Sequence, residues 1–174
     1  MNKAGIEIER KYIIEQPSAA ELERMAEHTV SRIEQIYLDS PMGETLRVRR
    51  REWQGRIEYI ETKKIRIDKM SSTEIERELS CEEYSVLAER RAEGTYPIYK
   101  TRHTFIYCGQ LFEIDLYPEW SRTAIMETEL NSRDTEVEFP PFIRIIREVT
   151  GEREYSNAAM SRHFPGEDTV HRLS

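Results

Sequence analysis

The sequence predicts an α+β protein built around a barrel-like antiparallel sheet, on three observations. Apolar and polar residues alternate with a period near two in eight segments, at about 4–14, 31–40, 44–52, 56–66, 72–80, 96–107, 111–119 and 124–131. Gln54-Gly55 and Cys108-Gly109-Gln110 mark hairpin turns, and most other connections are short, which favours antiparallel neighbours over crossovers. Helix signals are few and local, so the helices are expected to pack outside the sheet.

The first helix is expected near 18–28. Ser18-Ala19-Ala20-Glu21 has the capping-box form, Pro17 precedes it, and Leu22, Met25 and Ala26 give an apolar stripe. Ser80-Cys81-Glu82-Glu83 repeats the signature before Tyr84, Leu87 and Ala88, which predicts a second helix over 81–92. Pro140-Pro141 opens a segment, Phe142 to Val149, that reads as a short helix ending by Gly151, and Ser156 to His163 reads as a last one. Residues 1–165 then form one domain, with 166–174 expected to be a frayed tail.

The chain has 174 residues, long enough for one domain with a real core. It is polar, with a mean hydropathy of −0.72. Nine Tyr, five Phe and two Trp nevertheless argue against disorder, so the charged residues, 34% of the chain, must be organised somewhere. A net charge of −7 argues against nucleic-acid binding by bulk electrostatics. No window resembles a membrane span and the N-terminus lacks an apolar signal core, so a cytoplasmic protein with no membrane partner is expected. Cys81 and Cys108 form no CxxC and read as free thiols. His28, His103, His163 and His171 have no ligand spacing, which leaves a histidine-centred mechanism without support.

The charges have an address. In Gly5 to Ile14, Glu7, Glu9 and Lys11 alternate with Ile6, Ile8 and Tyr12, so an extended chain carries all three on one face. Alone, that pattern fits a solvated strand face, but it recurs. Arg47 and Arg49 alternate with Leu46 and Val48, Glu113 and Asp115 with Phe112, Ile114 and Leu116, and Glu127 and Glu129 with Met126, Thr128 and Leu130. Glu74 and Glu76 flank Ile75, while Thr62 and Lys64, and Lys100 and Arg102, are less clean, because Glu61 and Lys63 charge the opposite face and Ile98 shares the parity of Lys100. One parity thus carries six cations and eight carboxylates, segregated by strand.

If that face points to solvent, the sheet is one-sided. If the sheet closes the other way, the charges line a lumen and demand partners, because an unpaired charge out of water costs several kcal/mol. Binding of a polyanion through divalent metal needs both clusters: carboxylates suit hard Mg²⁺ or Mn²⁺, and Lys and Arg neutralise phosphate oxygens. A single phosphate does not require six cations, whereas an extended triphosphate does, and such chemistry needs no histidine.

The sequence resembles the CYTH domain, or triphosphate tunnel metalloenzyme, family. Glu7-Ile8-Glu9-Arg10-Lys11 matches its ExExK signature. In family order follow Tyr37-Leu38, Leu46-Arg47-Val48-Arg49, Thr62-Lys63-Lys64, Glu74-Ile75-Glu76, Lys100-Thr101-Arg102, Phe112-Glu113-Ile114-Asp115 and Glu127-Thr128-Glu129-Leu130. Glu148-Val149-Thr150-Gly151 and Tyr155-Ser156-Asn157 look like the C-terminal segment of small bacterial members. The resemblance implies an eight-stranded antiparallel β-barrel whose hydrophilic tunnel binds triphosphate with one or two divalent metals. It implies Glu7, Glu9, Asp115, Glu127 and Glu129 as candidates for coordinating metal or positioning water. Lys11, Arg47, Arg49, Lys64, Lys100 and Arg102 are implied as phosphate ligands, and Glu7, Glu9, Lys11, Tyr37 and Glu76 as catalytic candidates. Glu74 and Glu113 are tunnel carboxylates without an assigned role. Tyr37 matches a tyrosine that some small members place beside the signature lysine, and it reads equally well as a core aromatic.

One position departs from the pattern. Where the family usually has Arg two residues before the Glu-x-Glu of the fifth strand, this chain has Ser72; Arg66 or Lys69 are the nearby cations, each also explained as an exposed loop charge. The chain looks closest to the small bacterial triphosphatases, with little before its signature strand and no His-Phe lead-in of the cyclase-like group. The expected activity is therefore metal-dependent hydrolysis of inorganic triphosphate. Class IV adenylate cyclase, thiamine or nucleoside triphosphatase, and a non-catalytic polyphosphate- or nucleotide-binding module are the alternatives. The oligomeric state is left open, a homodimer being compatible with the sequence.

Overall fold

A computed structural model describes residues 3–172. Eight strands make the barrel: β1 (Lys3–Glu15), β2 (Ala26–Leu38), β3 (Glu44–Trp53), β4 (Arg56–Arg66), β5 (Ser71–Glu78), β6 (Ile98–Tyr107), β7 (Gln110–Leu116) and β8 (Thr123–Glu129). They run in the order β5-β4-β3-β2-β6-β7-β8-β1, every pair antiparallel, and a β1–β5 pairing closes the ring. Closure depends on the length of β1. Lys3 to Ile8 pair with β5, while Glu9 to Glu15 pair with β8, so one strand joins both ends of the sheet.

The turns that set the register are the expected ones. Trp53 pairs with Arg56 and Tyr107 with Gln110, leaving two-residue loops. Gln54 and Gly55 have φ of 47° and 75°, and Cys108 and Gly109 have 48° and 74°. Such type I′-like turns match strand twist and need positive φ at both positions, which glycine adopts without strain.

Five segments differ from the sequence expectation. The helix expected over 18–28 is only α1 (Ala19–Glu23), and β2 begins at Ala26. Its capping box forms as predicted, with Ser18 and Glu21 each bonding the other's backbone N–H. The following residues instead pair with β6, through an irregularity between Ala26 and Thr29 where Glu27 takes a φ of 56°. The second helix, α2 (Cys81–Ala88), likewise keeps its capping box but stops short of residue 92. Ile145–Glu148, expected to be helical, is a ninth strand, β9, against β1. The reason is an exposed edge: β5 ends at Ile8, leaving the second half of β1 without partners on that side. Met70 O accepts from Glu9 N, Thr150 Oγ1 from Lys11 N, β9 pairs with Tyr12 to Ile14, and Arg144 O accepts from Glu15 N.

At the C-terminal end, a short helix, α3 (Asn157–Met160), is only the first half of the predicted 156–163 segment. The expected tail instead forms α4 (Glu167–Arg172), with Val170 fully buried and Glu167 accepting from the backbone N–H groups of Ser121 and Arg122. Burial of one aliphatic side chain and two such bonds hold the segment down; Leu173 and Ser174 lie outside the described residues.

Three apolar clusters surround the barrel. Leu22 of α1 and the segment Val137 to Ile143 cover the outer faces of β1 and β6–β8 around Phe105, Phe112 and Met126. Tyr84 of α2 packs with Ile36, Leu38 and Val48. The third cluster gathers Ile13, Ile98, Tyr117, Trp120 and Ile125 with Tyr155, Met160 and Val170. It joins the ends of several barrel strands to the C-terminal helices. No described helix is long and apolar enough to cross a membrane, and Cys81 and Cys108 are free and exposed.

Candidate functional site

Alternation sends every second side chain of a strand to one face, and closure turns that face inward. Register then sets charges side by side. Glu9 lies opposite Glu129 and Lys11 opposite Glu127 across β1–β8. Lys64 lies opposite Glu74, Arg102 opposite Asp115, and Glu113 opposite Glu127. The lumen encloses a cavity of about 200 Å³. Its wall takes carboxylates from β1 (Glu7, Glu9), β5 (Glu74, Glu76), β7 (Glu113) and β8 (Glu127, Glu129), and cations from β3 (Arg47, Arg49), β4 (Lys64) and β6 (Arg102).

Eleven of the fourteen charges on the predicted parity therefore line one cavity. The other three, Lys11, Lys100 and Asp115, sit deeper in the wall. Lys11 Nζ contacts Glu127 Oε1 at 2.7 Å and donates to the carbonyl of Tyr155 at 3.5 Å. Asp115 accepts from Lys100 Nζ at 2.6 Å and from Arg102 Nε and Nη2 at 2.7 and 2.8 Å, with the side chains of Lys100 and Asp115 only 1% and 2% exposed.

Pairing is looser across the lumen on β3–β5. Arg47 lies 3.9 Å from Glu74 and Arg49 3.5 Å from Glu76, while Lys64 bridges Glu74 at 3.0 Å and Glu9 at 3.5 Å. The Nε atoms of Arg47 and Arg49 are buried without a hydrogen-bond partner.

The charges shift one another strongly. Burial, then Arg47 and Arg102, push Arg49 down to about 10. Burial alone would raise Glu127, but Lys11, Arg102 and Lys100 hold it well below the usual carboxylate range. Glu7 moves the opposite way, to about 7, through burial and then Glu74, with Lys64 the opposing cation. Its cross-strand partner is Ser72, on the lumen parity and buried, at the rung where the sequence lacks an arginine. Neither nearby cation fills the gap. Arg66 shares the rung, yet its guanidinium donates to the carbonyls of Asp68 and Gly151, and Lys69 is an exposed loop residue beside Gly151.

Tyr37 is placed as its core reading expects. It belongs to the apolar cluster beside the C-terminal helices, and its hydroxyl accepts from Gln35 Nε2 at 2.7 Å, beside Arg47. Gln35, 1% exposed with Oε1 unpartnered, and Asn157, which lines the cavity from α3, were not singled out in the sequence. Gln35 had a signal, since it shares the parity of Tyr37 on β2. Asn157 lay in the Tyr155-Ser156-Asn157 match, which assigned it no role, since α3 meets the lumen only through tertiary packing.

The donor set suits a hard divalent ion. Glu7, Glu9, Glu127 and Glu129 are oxygen donors on adjoining strands and line the cavity. Among the described residues no three acidic, His or Cys side chains converge on one point, because lumen carboxylates such as Glu9 and Glu127 are turned toward Lys64 and Lys11. An ion would draw carboxylates away from those pairs.

Comparison with known proteins supports this geometry. The family model of the CYTH domain matches residues 5–159. The crystal structure of the inorganic triphosphatase NE1496 is similar at 28% identity and a TM-score of 0.59, over 92% of this chain and 97% of that one. Two archaeal structures share the fold: the PH1819 protein from Pyrococcus horikoshii, at 22% identity and a TM-score of 0.51 over 71% of this chain and 80% of that one, and a conserved protein from Pyrococcus furiosus, at 18% and 0.54 over 74% and 80%. No curated protein matches. With the family model spanning most of the chain, and a closed eight-stranded barrel folding the ordered charge motifs inward, the chain belongs to the CYTH domain family.

Proposed function

We propose that the chain hydrolyses inorganic triphosphate to pyrophosphate and phosphate in its lumen, with Mg²⁺ or Mn²⁺. One observation carries the reading: the lumen sets phosphate-type cations and metal-type carboxylates on separate strands around one small cavity. The similarity to an inorganic triphosphatase at 28% identity, over nearly the whole of both chains, supports it. Charge arithmetic supports the metal. Seven carboxylates against four cations line the cavity, which is therefore negative even with Glu7 half protonated, so it repels a polyanion until divalent cations bind.

In this reading Arg47, Arg49 and Lys64, which line the cavity, grip the phosphate chain. Arg102 faces the same oxygens from β6. Glu7, Glu9, Glu127 and Glu129 would hold the metal, which when bound polarises the phosphate oxygens and offsets their charge. Glu76, whose Oε1 accepts from Thr62 and lies 3.5 Å from Arg49, would orient the attacking water. Attack forms one P–O bond and breaks the bridging P–O bond. The water's proton passes to a lumen carboxylate, and pyrophosphate leaves stabilised by the basic wall.

A second reading, a module that holds polyphosphate without turnover, is favoured by the cation missing at Ser72. Assay of phosphate release and cyclic product from inorganic triphosphate, ATP, GTP and thiamine triphosphate, with Mg²⁺ and with Mn²⁺, separates the readings. The hydrolase reading expects phosphate from inorganic triphosphate. Cyclic AMP from ATP without phosphate from triphosphate sinks it in favour of a cyclase, and tight binding without turnover sinks it in favour of the module.

A further inference from the structure

We propose that His28 and His103 form a binding site for a transition metal of tetragonal preference, Cu²⁺ or Ni²⁺, on the outer face of the barrel. The site is independent of the triphosphate reading of the lumen. The two residues are 75 apart in sequence, and strand pairing brings them together. Val30 of β2 lies opposite His103 of β6, and Ser31 opposite Arg102. Arg102 lines the lumen, so alternation turns His103 to the outside. His28 reaches the same face through the irregularity at the start of β2. Ala26 lies opposite Ile106, and unbroken pairing from there would set His28 against Thr104, on the lumen parity. Thr29 takes that place instead. One extra residue has entered, with Glu27 in the left-handed region, and it turns His28 outward. Such a bulge re-aims a side chain, and here it aims one imidazole at another.

His28 Nε2 and His103 Nδ1 stand 2.9 Å apart, with the ring planes 12° from parallel. In this hydrogen bond one nitrogen donates its N–H to the other. When the donor ring carries its proton on the far nitrogen, both facing nitrogens present lone pairs to one point. A metal held at about 2.0–2.1 Å from each would see them at roughly 90°. That is the cis angle of a square-planar or octahedral ion, whereas tetrahedral Zn²⁺ needs nitrogens farther apart, so the geometry selects Cu²⁺ or Ni²⁺. His103 lies opposite Ile114, and the fully buried Ile114 and Phe105 share its face as an apolar floor. Burial, then His28, lower His103 below its ordinary 6.5 against the opposing charges of Asp115 and Glu23. It is therefore neutral at pH 7, the form that binds metal. Among the described residues no third His, Cys or carboxylate converges with the pair, so water completes the coordination, and Glu23 of α1 adds a nearby negative charge. The lumen offers oxygen donors for hard ions, and this pair offers nitrogen, so the two sites take different metals.

Copper titration followed by electron paramagnetic resonance tests the site, with excess Mg²⁺ present to occupy the lumen carboxylates. Wild type should bind Cu²⁺ with superhyperfine coupling from a pair of nitrogens. His28→Gln and His103→Gln should each weaken binding by at least roughly tenfold and reduce the coupling to a single nitrogen, whereas His163→Gln/His171→Gln should change neither. Full affinity with paired-nitrogen coupling in His28→Gln or in His103→Gln overturns the proposal. So does a wild-type spectrum with oxygen donors only, or a loss confined to the His163→Gln/His171→Gln variant. Should either single variant fail to fold, the wild-type protein decides alone: substoichiometric Cu²⁺ should broaden the ring-proton resonances of His28 and His103 before those of His163 and His171. Equal broadening of all four, or broadening that begins at another residue, overturns the site.

Discussion

The two sides of the lumen carry similar residues in different states. On β6–β8 and β1, Lys11, Lys100 and Arg102 hold carboxylates at 2.6–2.8 Å, and the Lys100–Asp115 pair is nearly closed to solvent. On β3–β5, Arg47 and Arg49 stand 3.9 and 3.5 Å from theirs, and Lys64, 3.0 Å from Glu74, is shared with Glu9 at 3.5 Å. The same sequence pattern thus builds a scaffold on one side and a set of available cations on the other. Charge on a strand face does not by itself tell grip from support; the difference is whether the counter-ion is already at full contact.

The largest effect should come from breaking the tight side. Asp115→Ala leaves Lys100 and Arg102 short of a partner and should cost about 3–5 kcal/mol of stability, seen as a lower urea midpoint. A midpoint equal to wild type would mean that this side is no scaffold. The loose side should behave oppositely. Arg49→Ala or Lys64→Ala should lower kcat/KM by at least roughly tenfold, the value of a lost charge-assisted phosphate contact, while the midpoint moves little. Wild-type kinetics in both variants would remove these cations from the site. Ser72→Arg, which puts a cation opposite Glu7, should lower the KM for triphosphate by roughly threefold, and an unchanged or higher KM would show that this rung does not meet the phosphate chain.

The smallest effect is one of pH. Glu7 titrates near 7 in the fold against an ordinary 4.5, so the folded state holds its proton more tightly than the unfolded chain. The stability this proton contributes is complete below pH 4.5 and is lost as pH rises through 7. The Tm of the metal-free protein should therefore fall from pH 6 to pH 8 by a few degrees more in wild type than in Glu7→Gln. Parallel pH curves for the two proteins would place Glu7 in ordinary solvent.

Most of the barrel was legible because its signal is local. Strand period, two Gly-containing hairpins and two capping boxes all depend on residues close in sequence, and each formed where expected. The lumen was legible because alternation forces a common face, so Glu7, Arg49, Lys64 and Glu129 met in one cavity without any knowledge of the turns. What was not legible depends on distant partners. Ile145–Glu148 is a strand only because β5 ends at Ile8 and leaves half of β1 unpaired. Glu167–Arg172 is ordered because Glu167 caps backbone donors 45 residues away. In the site, parity could place Lys100 and Asp115 on the lumen side but could not show that each would consume the other.

Calorimetric titration of inorganic triphosphate into the protein tests the central claim most directly, with Ca²⁺ replacing Mg²⁺ to slow turnover in one arm and EDTA in the other. A lumen with six cations and eight carboxylates should bind the polyanion at least roughly a hundredfold more weakly without the divalent ion. Equal affinity in EDTA would contradict the metal-bridged lumen and leave the carboxylates of β1 and β8 without the role proposed for them.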